Sequence, residues 1–371
     1  TPPTQTGITT DPEGFSFFVH GVESGKVCDV GNLRSFADYG INPANDTEPL
    51  GTPGVDPIVL HGSYYNYDSG GRVRGFIRYN ASPFTRVATL DLNGITTEWT
   101  DFTLTPTASG AVNGYNFICH TDNSSGGNLS LAQCFMEPCQ WVRTDIATGV
   151  AVGDFWQYGG HGLIEAAATI VYIRLNKPAV LEEQLRCAIR SAPETAHVCI
   201  WVKHGHNDVN DTTQDAILPD GSAATGVKSN TAAGHTQNLE TVLTAYREAW
   251  LSLCTRLGLS DAAARFHCVS GGLHDAGGSY TSAFEAYYDS DASWFKTNPD
   301  FNGFAVNGNL FGTNAELNDE GYIEPARGQN HMANAGYTAL GLWEVQCIEK
   351  ASRRRGGGMM GGGSLAGFGG L

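Results

Sequence analysis

His197-Val198-Cys199-Ile200-Trp201-Val202-Lys203 leads, after one further residue, into Gly205-His206-Asn207-Asp208. The apolar run has the length and composition of a buried strand, which places the tetrapeptide at its carboxyl end. Open α/β sheets hold their ligand sites there, in crevices beyond the C-terminal ends of the strands. Outward from this point, segments of helical period alternate with short apolar ones from residue 151 onward. The periodicity predicts helices over 163–174, 179–192 and 238–257, strands over 265–270 and 304–306, and a closing helix over 333–350. In 238–257 the residues Leu239, Val242, Leu243, Tyr246, Trp250 and Cys254 recur at helical spacing, and Gly258 supplies a stop. Such alternation predicts a mainly parallel sheet with helices on both faces.

Toward the N-terminus, Phe15-Ser16-Phe17-Phe18-Val19-His20 reads as a buried strand, then a turn and a helix over 31–37. Between 52 and 150, β-branched and aromatic residues alternate with polar ones, and turn residues break the runs. Strands are expected over 72–79, 86–92 and 115–119, as an inserted β-sandwich or jelly-roll module. The resulting division is 1–51 as the first segment of an α/β domain, 52–150 as the insertion, 151–351 as the rest of that domain, and 352–371 as a flexible Gly-rich tail. In the tail, Arg353-Arg354-Arg355 precedes a run of glycine and methionine that buries too little surface to offset its ordering entropy.

The chain has 371 residues, 41% of them hydrophobic, enough for a substantial core. Its 22 Lys and Arg against 38 Asp and Glu give a formal charge of −16, which disfavours nucleic acid and anionic membranes as partners and favours a neutral or polar substrate. No apolar run approaches the roughly 18 residues of a bilayer span, and Thr1-Pro2-Pro3-Thr4 lacks the features of a signal peptide, as expected of a mature form. Nine cysteines include no CxxC pair. Cys119, Cys134 and Cys139 lie near enough in sequence for one bridge, while Cys187, Cys199, Cys254, Cys268 and Cys347 read as small buried hydrophobes. Five Asn-x-Ser/Thr sequons, beginning at Asn45, Asn80, Asn123, Asn128 and Asn210, point with the cysteines to an extracytoplasmic or secreted location.

Acyl transfer by serine needs a histidine to take the hydroxyl proton and donors that converge where the carbonyl oxygen becomes anionic. Asn207 is the natural side-chain donor; its alternative role is an Asx-turn that only closes the loop. Trp156-Gln157-Tyr158-Gly159-Gly160-His161-Gly162, ahead of a helix expected from residue 163, offers backbone N–H groups at a helix N-terminus. His331, before the closing helix, can stand at the rim of the sheet. His204 and His206 share a strand face as metal ligands do, but no third ligand has convincing spacing, so neither metal nor cofactor is expected. Asp208 is expected to fix the loop.

The segments around Gly160, Asn207 and His331 resemble the motif blocks of the SGNH/GDSL hydrolase superfamily, in the form where a β-rich module interrupts the α/β domain. The likeness covers about 150 to 350. It implies a flavodoxin-like three-layer fold with a parallel sheet, a serine nucleophile, a histidine base and an oxyanion hole built from the serine N–H, a glycine and an asparagine. Gly160 matches the second-block glycine, Asn207 the third-block asparagine and His331 the last-block histidine. The Gly-Asp-Ser start is absent: Gly153-Asp154-Phe155 carries phenylalanine at the nucleophile position and lies too near Gly160. Ser24 is therefore the first candidate nucleophile and Ser63, in a loop His61-Gly62-Ser63-Tyr64, the second. The family's aspartate, three residues before the histidine, is replaced by Gly328, leaving Glu324, Asp319, Glu320 or a backbone carbonyl to orient His331, or no group at all, as in a Ser–His dyad. His206, Trp156 and Tyr158 are candidate substrate contacts. The implied activity is hydrolysis of an ester, such as acetate on a carbohydrate or another acylated molecule or polymer. The competing expectation is a degenerate scaffold that binds carbohydrate or serves in assembly.

Overall fold

The computed structural model describes residues 16–17, 54–66, 72–79, 86–91, 100–107, 110, 115–122, 134–145, 162–176, 178–189, 193–203, 205–323 and 332–356. The chain divides into two compact units, Thr1–Gly159 with Arg186–Arg190, and Gly160–Leu185 with Ser191–Leu371. No described helix is long and apolar enough to cross a membrane.

The first unit contains β1 (Ser16–Phe17), β2 (Ile58–Asn66), β3 (Arg72–Tyr79), β4 (Arg86–Asp91), β5 (Thr100–Leu104), β6 (Tyr115–Asp122) and β7 (Cys134–Arg143). They form two antiparallel sheets, ordered β1-β6-β3-β4 and β5-β2-β7. Period-two burial is plain in β5, where Phe102 and Leu104 turn inward and Asp101 and Thr103 outward, with Leu104 opposite Leu60. Strands β3, β4 and β6 start where the alternation predicts. Two expectations are corrected. The Phe15–His20 run does not open a parallel sheet, because Ser16 and Phe17 pair antiparallel with Thr121 and His120 of β6. The described part of 1–51 thus belongs to the β-rich unit rather than to the α/β one. Ser63 is not in a loop: it lies inside β2, at a register irregularity against β7 between His61 and Ser63.

The second unit is α/β. Its described sheet is parallel and ordered β12-β11-β8, from β8 (Val198–Val202), β11 (Phe266–Ser270) and β12 (Gly303–Ala305). Val202, Ser270 and Ala305 stand in one row, so the three strands end together. An antiparallel hairpin, β9 (Asp215–Ile217) with β10 (Ala223–Lys228), lies between β8 and β11 in sequence. The helices are α1 (Leu163–Asn176), α2 (Pro178–Ala188), α3 (Ala232–Leu257), α4 (Ser279–Thr297), α5 (Asn314–Asp319) and α6 (Asn334–Gly356).

Helices cover both faces of this sheet. On one face Val269, Val306 and Cys347 form a cluster with Phe304 and Trp343, which seats α6. On the other, Ser270 meets α4 through Asp291, and α3 packs beside α4 and against β11. Trp250, Phe266, Leu163 and Ile170 are among the largest fully buried side chains. Each such aliphatic or phenyl group contributes roughly 1.5–3 kcal/mol of transfer free energy. Helix α3 begins six residues before the sequence expectation because the Thr231 hydroxyl accepts the Gly234 N–H, and it ends at Gly258 in the left-handed conformation. Helix α6 extends to Gly356, so 352–356 are helical rather than tail; 357–371 lie outside the described residues. Cys254, Cys268 and Cys347 are buried as expected, whereas Cys199 is exposed.

Candidate active site at the end of the parallel sheet

Beyond β8 the chain turns through Gly205, His206 and Asn207 into a single 3-10 turn, Asp208–Asn210. Gly205 holds φ at +134°, and a β-carbon there would lie 2.9 Å from both His235 Cε1 and Leu273 Cδ1. Only glycine combines that dihedral with so close an approach. At the other end of the loop Asp208 is buried, and its carboxylate accepts the N–H groups of Leu163 at 2.7 Å and Ile164 at 3.3 Å, the first turn of α1. Burial pushes the Asp208 carboxyl above its usual range, opposed by the Leu163 N–H, the nearby His235 and the Ile164 N–H. Asp208 therefore joins the β8 loop to a helix begun 45 residues earlier, the loop-fixing role expected of it.

The same contact changes the reading of the α1 N-terminus. Its backbone donors face protein carboxylates: Leu163 and Ile164 bond Asp208, and the Gly162 N–H bonds Glu165 Oε2 at 2.7 Å. The oxygens these described donors hold thus belong to Asp208 and Glu165, and Gly162 sits so close that a β-carbon would fall 2.2 Å from Asp208 Oδ1.

Asn207 is exposed between the two anchors and does not cap the 3-10 turn with its side chain. Local turn closure falls to Asp211, whose carboxylate accepts the N–H groups of Thr213 and Gln214. His206 is half-buried against aromatic rings, 4.6 Å between centroids to both His274 and Phe284. Among the described residues no three His, Cys, Asp or Glu side chains are grouped to hold a metal; His204 lies outside them.

Ser24, Trp156, Tyr158, Gly160, Glu324 and His331 also lie outside the described residues. Met332, next to His331, is buried with Leu317, Ile323 and Leu340 and forms an antiparallel bridge with Ile323. Asp319 and Glu320, alternatives for orienting His331, are exposed at the end of α5. Helix α6 is tied to the end of β8: Lys203 Nζ is 3.2 Å from Glu344 Oε2, and Glu344 is wholly buried. Burial lifts the Glu344 carboxyl above its usual range and lowers Lys203, and their mutual attraction opposes both shifts.

Sequence reasoning missed a polar cluster beneath the loop. A small cleft there is lined by His235, Ser270, Leu273, Phe284, Tyr287 and Asp291, among others. Ser270 and Thr236 each donate to Asp291 at 2.6 Å, and His235 Nε2 lies 3.4 Å from the same carboxylate. A serine, a histidine and an aspartate meet here, but the acid stands between the other two. Nucleophilic activation requires the histidine in the middle, so the cluster is a buried polar network. Tyr287, stacked on His235, has its hydroxyl pushed well above the usual range by burial and by Asp208 and Asp291.

No family model matches the sequence, and no curated protein matches it. Among solved structures, a family two carbohydrate esterase from Clostridium thermocellum in complex with cellohexaose is similar at 11% identity, over 81% of this chain and 90% of its own, with a TM-score of 0.24. A salicylyl-acyltransferase from a tetracycline biosynthetic pathway is similar at 13% identity, over 81% and 79%, with a TM-score of 0.24. A CBM4 structure is similar at 16% identity over 24% of this chain, which spans 64% of that module's length, with a TM-score of 0.19. At these identities and TM-scores the likenesses assign neither fold nor activity.

Proposed function

We propose that this chain is an ester hydrolase of the SGNH type, with a flavodoxin-like α/β domain and an associated β-sandwich, that removes an acyl group such as acetate from a carbohydrate. One observation carries the proposal: exposed Asn207, held at the C-terminal end of a parallel strand by Gly205 on one side and buried Asp208 on the other. A preorganised amide donor at such a place is what a developing oxyanion needs. In this reading Asn207 and the Gly160 N–H hold the oxyanion, and His331, oriented by Glu324 or acting in a dyad, moves the proton. Ser24 is the candidate nucleophile to be tested. The carbohydrate half rests on the content of 7 Trp and 14 Tyr, side chains that stack on sugar rings. An extracytoplasmic location belongs to the same proposal.

A second reading, a catalytically degenerate scaffold that binds carbohydrate or serves assembly, is favoured by one finding. The described α1 donors are occupied by Asp208 and Glu165 instead of facing a crevice. The two readings separate on p-nitrophenyl acetate, acetylated xylan and a fluorophosphonate probe, with the labelled residue mapped by peptide mass. The hydrolase reading expects turnover and labelling of the native protein, a loss of about 10²–10³ in kcat for Asn207→Ala, and loss of both signals for His331→Ala. Label that survives Ser24→Ala moves the nucleophile to the mapped residue. A native protein that neither labels nor turns over sinks the hydrolase.

A further inference from the structure

We propose that His235, on α3, is the positioning residue for Asn207, acting from beneath the loop through Gly205. The kinetic part of this inference rests on the hydrolase reading; the structural part does not. His235 is 3% exposed and fixed on three sides. Its backbone N–H bonds Thr231 O at 2.8 Å, its ring stacks on Tyr287 at 4.2 Å with planes 2° apart, and its Nε2 lies 3.4 Å from Asp291 Oδ2. The neighbours are fixed in turn: Asp291 accepts from Ser270 and Thr236, and the Tyr287 hydroxyl donates to Asn230 O at 3.0 Å. The remaining ring edge faces the loop. Among the described residues Nδ1 has no hydrogen-bond partner, and Cε1 and Nδ1 stand 2.9 and 3.2 Å from where a Gly205 β-carbon would be.

The ring therefore acts as a floor for Gly205, and through Gly205 it sets where the chain stands two residues later, at Asn207. Asp208 clamps the far end of the loop to α1. A donor that must meet an oxyanion to within a few tenths of an ångström needs both clamps. His235 touches neither substrate nor reacting atoms in this scheme, so removing it acts on the rate only through the placement of Asn207.

A double-mutant cycle in the full chain tests this, with p-nitrophenyl acetate kinetics and amide hydrogen exchange as readouts. His235→Ala is expected to lower kcat by about 10- to 100-fold with KM changed less than about twofold, and to add almost nothing when Asn207 is already alanine. Multiplying effects, or an unchanged kcat, overturn the proposal. If the native protein shows no turnover, the hydrolase reading fails and exchange alone decides. Amides of 205–208 exchanging at least about tenfold faster in His235→Ala, with α3 and α4 unchanged, sustain the positioning role. Unchanged loop exchange, or acceleration spread over α3 and α4, overturns it. Should His235→Ala not fold, Asp291→Asn, which loosens the ring's anchor without removing the ring, is read in the same two ways.

Discussion

Burying a carboxylate costs several kcal/mol unless its lone pairs are met, and Asp208 meets that demand at the positive end of a helix. Two N–H groups of α1 and the nearby His235 offset part of the cost of burial and hold the end of the loop in place. The contact leaves no room at Gly162. Alanine there would place its β-carbon 2.2 Å from Asp208 Oδ1, so either the carboxylate leaves its donors or α1 shifts. Overpacking of this kind costs about 1–3 kcal/mol, and losing a charge-assisted hydrogen bond a similar amount. Gly162→Ala is therefore expected to lower stability by about 3 kcal/mol in urea denaturation. A loss under about 0.5 kcal/mol would show that the Asp208 contact does not fix the loop.

At the scale of elements, the Lys203–Glu344 pair decides how α6, the helix that follows His331, sits on the sheet. Glu344 is 0% exposed and Lys203 29%, so the pair is buried at one end and wet at the other. Breaking a fully buried pair costs about 3–5 kcal/mol because a charge is stranded; solvent at Lys203 brings this nearer about 2 kcal/mol. Lys203→Met leaves Glu344 stranded and is expected to cost about that much, whereas Lys203→Met with Glu344→Leu recovers most of it. A double variant less stable than the single one in chemical denaturation contradicts this. The helices of long apolar period were legible: α1 begins where Leu163 was expected to start it, and α3 stops at Gly258. Helix α4 was not, because its Ser, Thr, Asp and Tyr residues have poor helical propensity. Its signal was the spacing of Phe284, Tyr287, Asp291 and Phe295, all buried. Nor could alternation say that β1 pairs with β6, since a period of two names faces and not partners. The site divides similarly. The place of Asn207 and Asp208 after an apolar run was legible, while His235 follows Ala232, Ala233 and Gly234 with no large apolar side chain to mark that turn, and what gives it meaning is contact with residues 30 to 56 positions away in the chain.

Across the whole molecule, two opposed sets of carboxylates shape the dependence of stability on pH. Burial works to raise Asp275, but the Thr281 hydroxyl and the N–H groups of Asn314 and Gly277 outweigh it and hold the carboxyl below its usual range. Burial is likewise outweighed at Asp211 by the N–H groups of Thr213 and Gln214. Stability from these groups is complete above the ordinary carboxyl pKa near 4 and is lost as pH falls through their lower folded values. Asp208 and Glu344 are raised by burial, so the folded chain takes up their protons more readily than the unfolded one. Their contribution is greatest below the ordinary pKa and is lost as pH rises through the folded values. A formal charge of −16 adds self-repulsion on the same alkaline side, and salt screens it. The melting temperature is thus expected to pass through a maximum above the ordinary carboxyl pKa near 4 and to fall on both its acid and its alkaline side. About 0.5 M NaCl should recover more at pH 8 than at the peak, because only the alkaline loss contains a long-range screened part. Differential scanning fluorimetry across the pH range, with and without salt, checks both statements, and a melting temperature that climbs steadily to pH 8 contradicts them.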